Sequence, residues 1–144
     1  MSVVLERLYR FSASHLYRRQ EWSDEENFRR FGKCATLPGH GHNYRLLVRV
    51  AGAVDPETGF VVDLGALDEA VRRSVIEPLD HRHINEAIAD FAIGGRIPSS
   101  ENLVLWIRER LVRDLPERCA LVGLRLAEDD DLAASWTSEG EAST

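Results

Sequence analysis

Residues 40–50 read His-Gly-His-Asn-Tyr-Arg-Leu-Leu-Val-Arg-Val, and their alternation decides the fold. His42, Tyr44, Leu46, Val48 and Val50 fall on one parity, while Asn43, Arg45 and Arg49 fall on the other. Successive side chains of a strand point to opposite faces, so this stretch is a long, half-buried strand with one apolar side. The N-terminal stretch carries the same pattern: Val3, Leu5, Tyr9, Phe11, Ala13 and His15 share a parity that Arg7 interrupts. Two such strands predict an antiparallel pair.

Between them, Ser23-Asp24-Glu25-Glu26 reads as a capping box that opens a short helix carrying Phe28 and Phe31. Residues 55–59, Asp-Pro-Glu-Thr-Gly, form a turn. Asp63 caps a helix whose apolar positions are Leu64, Leu67, Val71 and Val75, supported by the pairs Asp68/Arg72 and Glu69/Arg73, with Pro78 near its end. A loop with Gly94, Gly95 and Pro98 leads to a second helix, capped by Ser99 or Ser100, with the stripe Leu103, Ile107, Leu111 and Leu115. The chain then returns to strands, with Val122, Leu124, Leu126 and Glu128 on one parity and residues 133–137 pairing back as a hairpin. The order β-β-α-α-β-β predicts an α+β fold, a four-stranded antiparallel sheet with two helices on one face.

At 144 residues, without repeats or linkers, the chain is read as one domain over residues 1–144, with a short disordered tail from about residue 139. No apolar run approaches the roughly 20 residues that span a bilayer. Glu6, Arg7 and Arg10 interrupt the N-terminus where a signal peptide needs an apolar stretch, so a cytoplasmic protein is expected. A net charge of −6 argues against nucleic-acid or membrane partners. Two cysteines are too few for a disulfide framework. Basic residues nevertheless cluster at Arg18, Arg19, Arg29, Arg30 and Lys33, as an anionic small substrate requires.

His40 and His42, two apart at a strand start, place both imidazoles on the apolar side. His15 ends the other strand on its apolar parity, so an antiparallel pair gathers three imidazoles on one face. Three neutral nitrogens with an open fourth position make a catalytic zinc site, although histidines on apolar faces are more often plain core residues. Cys34, separated from His40 by five residues, has two readings. As a fourth ligand it would close a structural site; as a thiolate favoured by Lys33 and zinc it would be a general base. Cys119 reads as simply buried.

Asp80-His81 has the makings of a proton relay, the carboxylate fixing the imidazole tautomer. His83 is given only a surface or packing role. Glu128 shares the inward parity of Leu126, and a buried carboxylate there would meet an edge with two N–H groups in line, as pterins and guanines present. The plainer reading is that it opens the solvated acidic turn of Asp129, Asp130 and Asp131.

FSASH (11–15), SDEEN (23–27), FGKC (31–34), PGHGHNY (38–44), VDPETG (54–59), PLDH (78–81), SSEN (99–102) and LRLAE (124–128) occur in one order over residues 5–139. They resemble the 6-pyruvoyl tetrahydropterin synthase family, which includes the bacterial 6-carboxytetrahydropterin synthases. The resemblance implies the T-fold, and a homohexamer of two stacked trimers with active sites between subunits. It implies zinc on His15, His40 and His42, Cys34 as base, Asp80 and His81 as the partner acid–base pair, and Glu128 as the pterin anchor. Ser99, Ser100 and Glu101 fall where the family has pterin-pocket residues. The implied substrate is 7,8-dihydroneopterin triphosphate, with the basic residues between Arg18 and Lys33 near the triphosphate. The implied product is 6-pyruvoyltetrahydropterin, triphosphate being eliminated by a lyase of the tetrahydrobiopterin pathway. Two alternatives remain: the 6-carboxytetrahydropterin synthase of queuosine biosynthesis, cleaving the side chain at the same site, and a non-catalytic zinc- or pterin-binding module.

Overall fold

A computed structural model describes residues 1–141, with side chains to residue 139. The two alternating stretches form β1 (Ser2–His15) and β2 (His40–Ala53), which pair antiparallel along their full length, from Ser2 opposite Ala53 to His15 opposite His40. Phe11 lies opposite Tyr44, and their rings stack at 4.9 Å. The parity of β2 is as expected: Tyr44, Leu46, Val48 and Val50 are fully buried.

Leu67, Val71 and Val75 of α2 (Leu64–Val71) and the π turn Arg72–Ile76 that extends it pack on this face. The helix ends in α3 (Glu77–Leu79), which buries Leu79. Leu103, Ile107 and Leu111 of α5 (Ser100–Asp114) complete the layer. Asp63 and Ser99 are the N-caps, accepting from the amides of Ala66 and Asn102. Leu64, by contrast, is 41% exposed.

The sheet has five strands, in the order β3-β1-β2-β4-β5, where four were expected. β4 (Ala120–Ala127) and β5 (Ala133–Thr137) are antiparallel additions. β4 carries a bulge: Leu121 faces Val50 and Gly123 faces Arg49, leaving Val122 as the extra residue. The additional strand, β3 (Arg82–His83), runs parallel to β1 beside Ala13 and Ser14. Two residues carry no readable alternation. β3 is held instead by what precedes it: the His81 amide donates to the Ser12 carbonyl at 2.6 Å, and Asp80 accepts from the Ser12 amide at 2.9 Å. After β3 comes α4 (Ile84–Ala87).

Several local expectations change. Ser23 caps α1 (Asp24–Phe31), but the Glu26 carboxylate is held by Arg29 and Arg30, and Phe28 is exposed. The buried residue of α1 is Asn27, which donates to the carbonyls of Arg19, Trp22 and Ser23 and accepts from the Arg19 amide. Asp68 does not pair along its helix with Arg72. It takes a bidentate pair from Arg7 at 3.0 and 3.1 Å, and the Tyr9 hydroxyl at 2.8 Å. Arg7 therefore breaks the apolar parity of β1 because an acid on the covering helix meets it. Glu69 pairs with Arg72 rather than Arg73. The expected disordered tail begins as a helical turn, α6 (Ser138–Glu141); the remainder of that expectation falls on residues 142–144, outside the described residues.

Arg7 first, then Tyr9, hold the Asp68 carboxyl below its ordinary pKa of 3.8. A carboxyl depressed in the folded state stabilises above its unfolded pKa and loses that contribution as pH falls through the folded value. Asp68→Asn is accordingly expected to lower the melting temperature at neutral pH, the deficit shrinking as pH falls through and below the ordinary carboxyl range. A deficit independent of pH would contradict the assignment.

Candidate metal centre

The β1–β2 register sets His15 opposite His40 and Ala13 opposite His42, so three imidazoles meet at one end of the ladder. Ring centroids are 5.0 Å apart for His15–His40 and His15–His42, and 4.8 Å for His40–His42. One nitrogen from each ring lies within 4.8 Å of the other two. The Nε2 atoms of His40 and His42 are 3.1 Å apart. Two nitrogens bound about 2.0–2.1 Å from one tetrahedral centre stand about 3.3 Å apart, so the spacing suits a shared ion.

His15 is fully buried, and its Nδ1 lies 3.0 Å from the Pro98 carbonyl and 3.1 Å from the Tyr44 hydroxyl. A carbonyl only accepts, so Nδ1 carries the hydrogen and Nε2 presents its lone pair. That Nε2 is buried without a hydrogen-bond partner among the described residues. Burial, then the neighbouring His42 and His40, push His15 down to about 3, and burial followed by His42 lowers His40. Both rings are therefore neutral, the state that ligates metal. An orphaned, neutral ring nitrogen beside two others fits a divalent ion that prefers imidazole.

The chain just after His15 is held by Asn85 of α4. Its side chain accepts from the Leu16 amide at 2.8 Å and donates to the Leu16 carbonyl at 2.9 Å and the Phe91 carbonyl at 3.1 Å. Asn85 thus replaces the partner strand where the ladder stops. On the other side, His83 bonds the Pro38 carbonyl at 3.0 Å, two residues before His40. This gives His83 a packing role, as expected.

Glu128 follows β4 and is buried, not solvated. Its Oε2 is 3.8 Å from His42 Nε2 and has no hydrogen-bond donor among the described residues. Cys34 is half-buried on the 3₁₀ turn Gly32–Ala35 and lies outside the three-histidine group, so the four-ligand arrangement is not formed. Burial first, then Glu128, raise the Cys34 thiol. The Lys33 side chain next to it is exposed.

Asp80 and His81 form a real pair, with Asp80 Oδ1 3.0 Å from His81 Nδ1. The Ser12 amide first, with help from His81, holds the Asp80 carboxyl below its ordinary range despite an opposing desolvation. His81 adopts a left-handed φ of 60°, and its side chain is 81% exposed. The pair lies along a cleft of about 800 Å³ also lined by Arg10, His42, Asn43 and Glu128. At the start of α5, Ser99 is spent as the helix cap, Ser100 is buried with its Oγ unpartnered among the described residues, and the Glu101 charge reaches Tyr17. The arginines of the basic cluster are neutralised locally: Arg18 pairs with Asp24, Arg19 with Glu21, and Arg29 and Arg30 with Glu26.

The chain is similar to known proteins. Residues 4–139 fit the model of the family described as 6-pyruvoyl tetrahydropterin synthase. The chain belongs to that family. Among its relatives, the 6-pyruvoyl tetrahydrobiopterin synthase of Pongo abelii is 37% identical over 90% of this chain and 87% of its own. The human protein of the same name is 40% identical over 74% of this chain and 72% of its own. The solved Caenorhabditis elegans 6-pyruvoyl tetrahydropterin synthase superposes with a TM-score of 0.87 at 31% identity, covering 96% of both chains. The T-fold expected from the sequence motifs is the fold observed. Among the described residues no helix is long and apolar enough to cross a membrane.

The sequence reading passed over Tyr17, Asn85 and the Pro98 carbonyl. Tyr17 carried a signal, since it continues the parity of His15; Asn85 and Pro98 act across more than 60 residues and carried none. His15→Ala is expected to weaken Co²⁺ binding by more than the roughly 10–100-fold that outer-shell changes cost, and Asn85→Ala to fall within that range. Cobalt titration followed by visible absorption checks both; parent affinity in His15→Ala would exclude the ring as a ligand.

Proposed function

We propose that this protein is a zinc-dependent pterin synthase that converts 7,8-dihydroneopterin triphosphate to 6-pyruvoyltetrahydropterin with elimination of triphosphate. The observation that carries the reading is the pairing of three convergent imidazoles with a buried carboxylate oxygen, on Glu128, that lacks a donor. An unpaired buried acceptor is costly unless a ligand supplies the hydrogen. The pterin ring offers two N–H groups in line, which one carboxylate receives together.

Zinc is the metal that three neutral imidazoles and one open position suit, and when bound it supplies Lewis acidity to an oxygen of the substrate side chain. His15 is fixed by Pro98 and Tyr44, so its Nε2 is held in one orientation. Cys34 takes a proton from the carbon next to that oxygen. Its thiol is raised by burial and Glu128, so it works as a base only where a cation offsets both. Asp80 keeps the hydrogen of His81 on Nδ1 and leaves Nε2 to exchange the second proton.

The exposure of the His81 ring suits a site completed by a second copy, in a homohexamer with interfacial active sites. Ser100 and Glu101 border the pterin pocket beside Pro98, with Ser99 holding the turn. Lys33, exposed next to Cys34, contacts the triphosphate in place of the self-paired arginines.

Incubation of the zinc-loaded protein with 7,8-dihydroneopterin triphosphate should release triphosphate and form 6-pyruvoyltetrahydropterin. Cys34→Ala should lower kcat by about 10²–10⁴-fold, the range of a lost acid–base group, with zinc content unchanged. Formation of 6-carboxytetrahydropterin would overturn the assigned reaction, and full turnover by Cys34→Ala would overturn the base.

A further inference from the structure

Two residues beyond His15 the chain places Tyr17, whose backbone amide donates to the Cys34 carbonyl at 2.9 Å. This bond ties the segment after β1 to the turn that carries the thiol. The Tyr17 ring lies 4.8 Å from the His15 ring at 58°, and meets Phe31 edge-on at 5.7 Å and 85°. The phenol is thus fixed on two sides, one of them a ring of the metal centre. Burial first, and then the charges of Glu128, Cys34 and Glu101, raise its hydroxyl. No hydrogen bond to that hydroxyl is formed among the described residues. Tyr44, the other tyrosine of the site, meets His15 instead.

A half-buried phenol of this kind is a neutral donor without an acceptor. The plainer role is packing, the ring filling space between His15 and Phe31 while water serves the hydroxyl. Three placements together argue for more. The ring sits at the imidazole end of the site, against His15. The backbone bond to Cys34 ties the Tyr17 segment to the turn that carries the group assigned as base. With no acceptor bonded to it among the described residues, the hydroxyl is free to meet an oxygen of a ligand.

We propose that Tyr17 is a substrate-contacting residue whose hydroxyl donates a hydrogen bond to an oxygen of the hydroxylated side chain of the pterin, between Cys34 and the three imidazoles. This rests on the pterin reading above and extends it to the residue that senses the side chain rather than the ring. Its consequence is specificity: a site with a placed donor disfavours an analogue that lacks the matching oxygen.

The test is equilibrium binding, by calorimetry on the zinc-loaded protein, of 7,8-dihydroneopterin and of 6-methyl-7,8-dihydropterin, which lacks the side-chain hydroxyls. Tyr17→Phe keeps the ring packing and should retain the zinc content and melting temperature of the parent. It should bind 7,8-dihydroneopterin about tenfold more weakly, the size of one neutral hydrogen bond, and the 6-methyl compound equally well. Parent affinity for 7,8-dihydroneopterin in Tyr17→Phe, or an equal loss for both compounds, would overturn the contact and leave the pterin reading standing. If the parent protein binds neither compound, the pterin reading falls and this inference falls with it.

Discussion

The antiparallel register of β1 on β2 is the constraint on which the rest of the molecule depends. It runs fourteen residues on each strand, with His15 opposite His40 and Phe11 opposite Tyr44. Side chains alternate with a period of two, so a slip of one residue would move every inward group of one strand to the outer face. The same slip that exposed Phe11 would carry His15 away from His40 and His42. Core and metal centre are thus specified by one alignment, and the apolar residues that stabilise the ladder also hold the histidines in place.

Beyond the ladder's end the backbone needs other partners, and the site is built from what supplies them. Asn85 takes over the bonding of Leu16, and the Pro98 carbonyl takes the Nδ1 hydrogen of His15. Both arrive on segments that follow the first long helix, so folding of the helical layer orients a ligand on the sheet. Glu128 comes from a third direction, after β4, and is left with a buried oxygen that no donor among the described residues satisfies. Such unpaired groups are costly in a protein that binds nothing, and they are the features through which the fold points to a ligand.

Much of this was legible in the residues because it rests on short-range periodicity. The alternation in residues 40–50 and in the N-terminal stretch set the two strands and the histidine face, and Asp63 and the pair Ser99-Ser100 marked helix starts, with Ser99 the cap in the structure. What escaped was long-range. Asp68 read as a helix-surface partner of Arg72 because sequence distance was the only distance available; in space Arg7 is its partner, 61 positions away. β3 escaped because two residues have no pattern, and it follows from the bonds of Asp80 and His81 to Ser12. The cluster from Arg18 to Lys33 read as an anion site, yet the acids interleaved with it take up its arginines. Glu128 was readable as inward by parity, but its missing donor became visible only in three dimensions.

The claim at the centre of this account is that His15, His40 and His42 alone supply the protein ligands of a metal whose remaining position faces substrate. X-ray absorption at the zinc edge of the metal-loaded protein tests it most directly. The account predicts a first shell of three imidazole nitrogens and one light oxygen-type ligand at about 2.0–2.1 Å, without sulfur. A sulfur at about 2.3 Å would place Cys34 on the metal, close the site, and contradict the account.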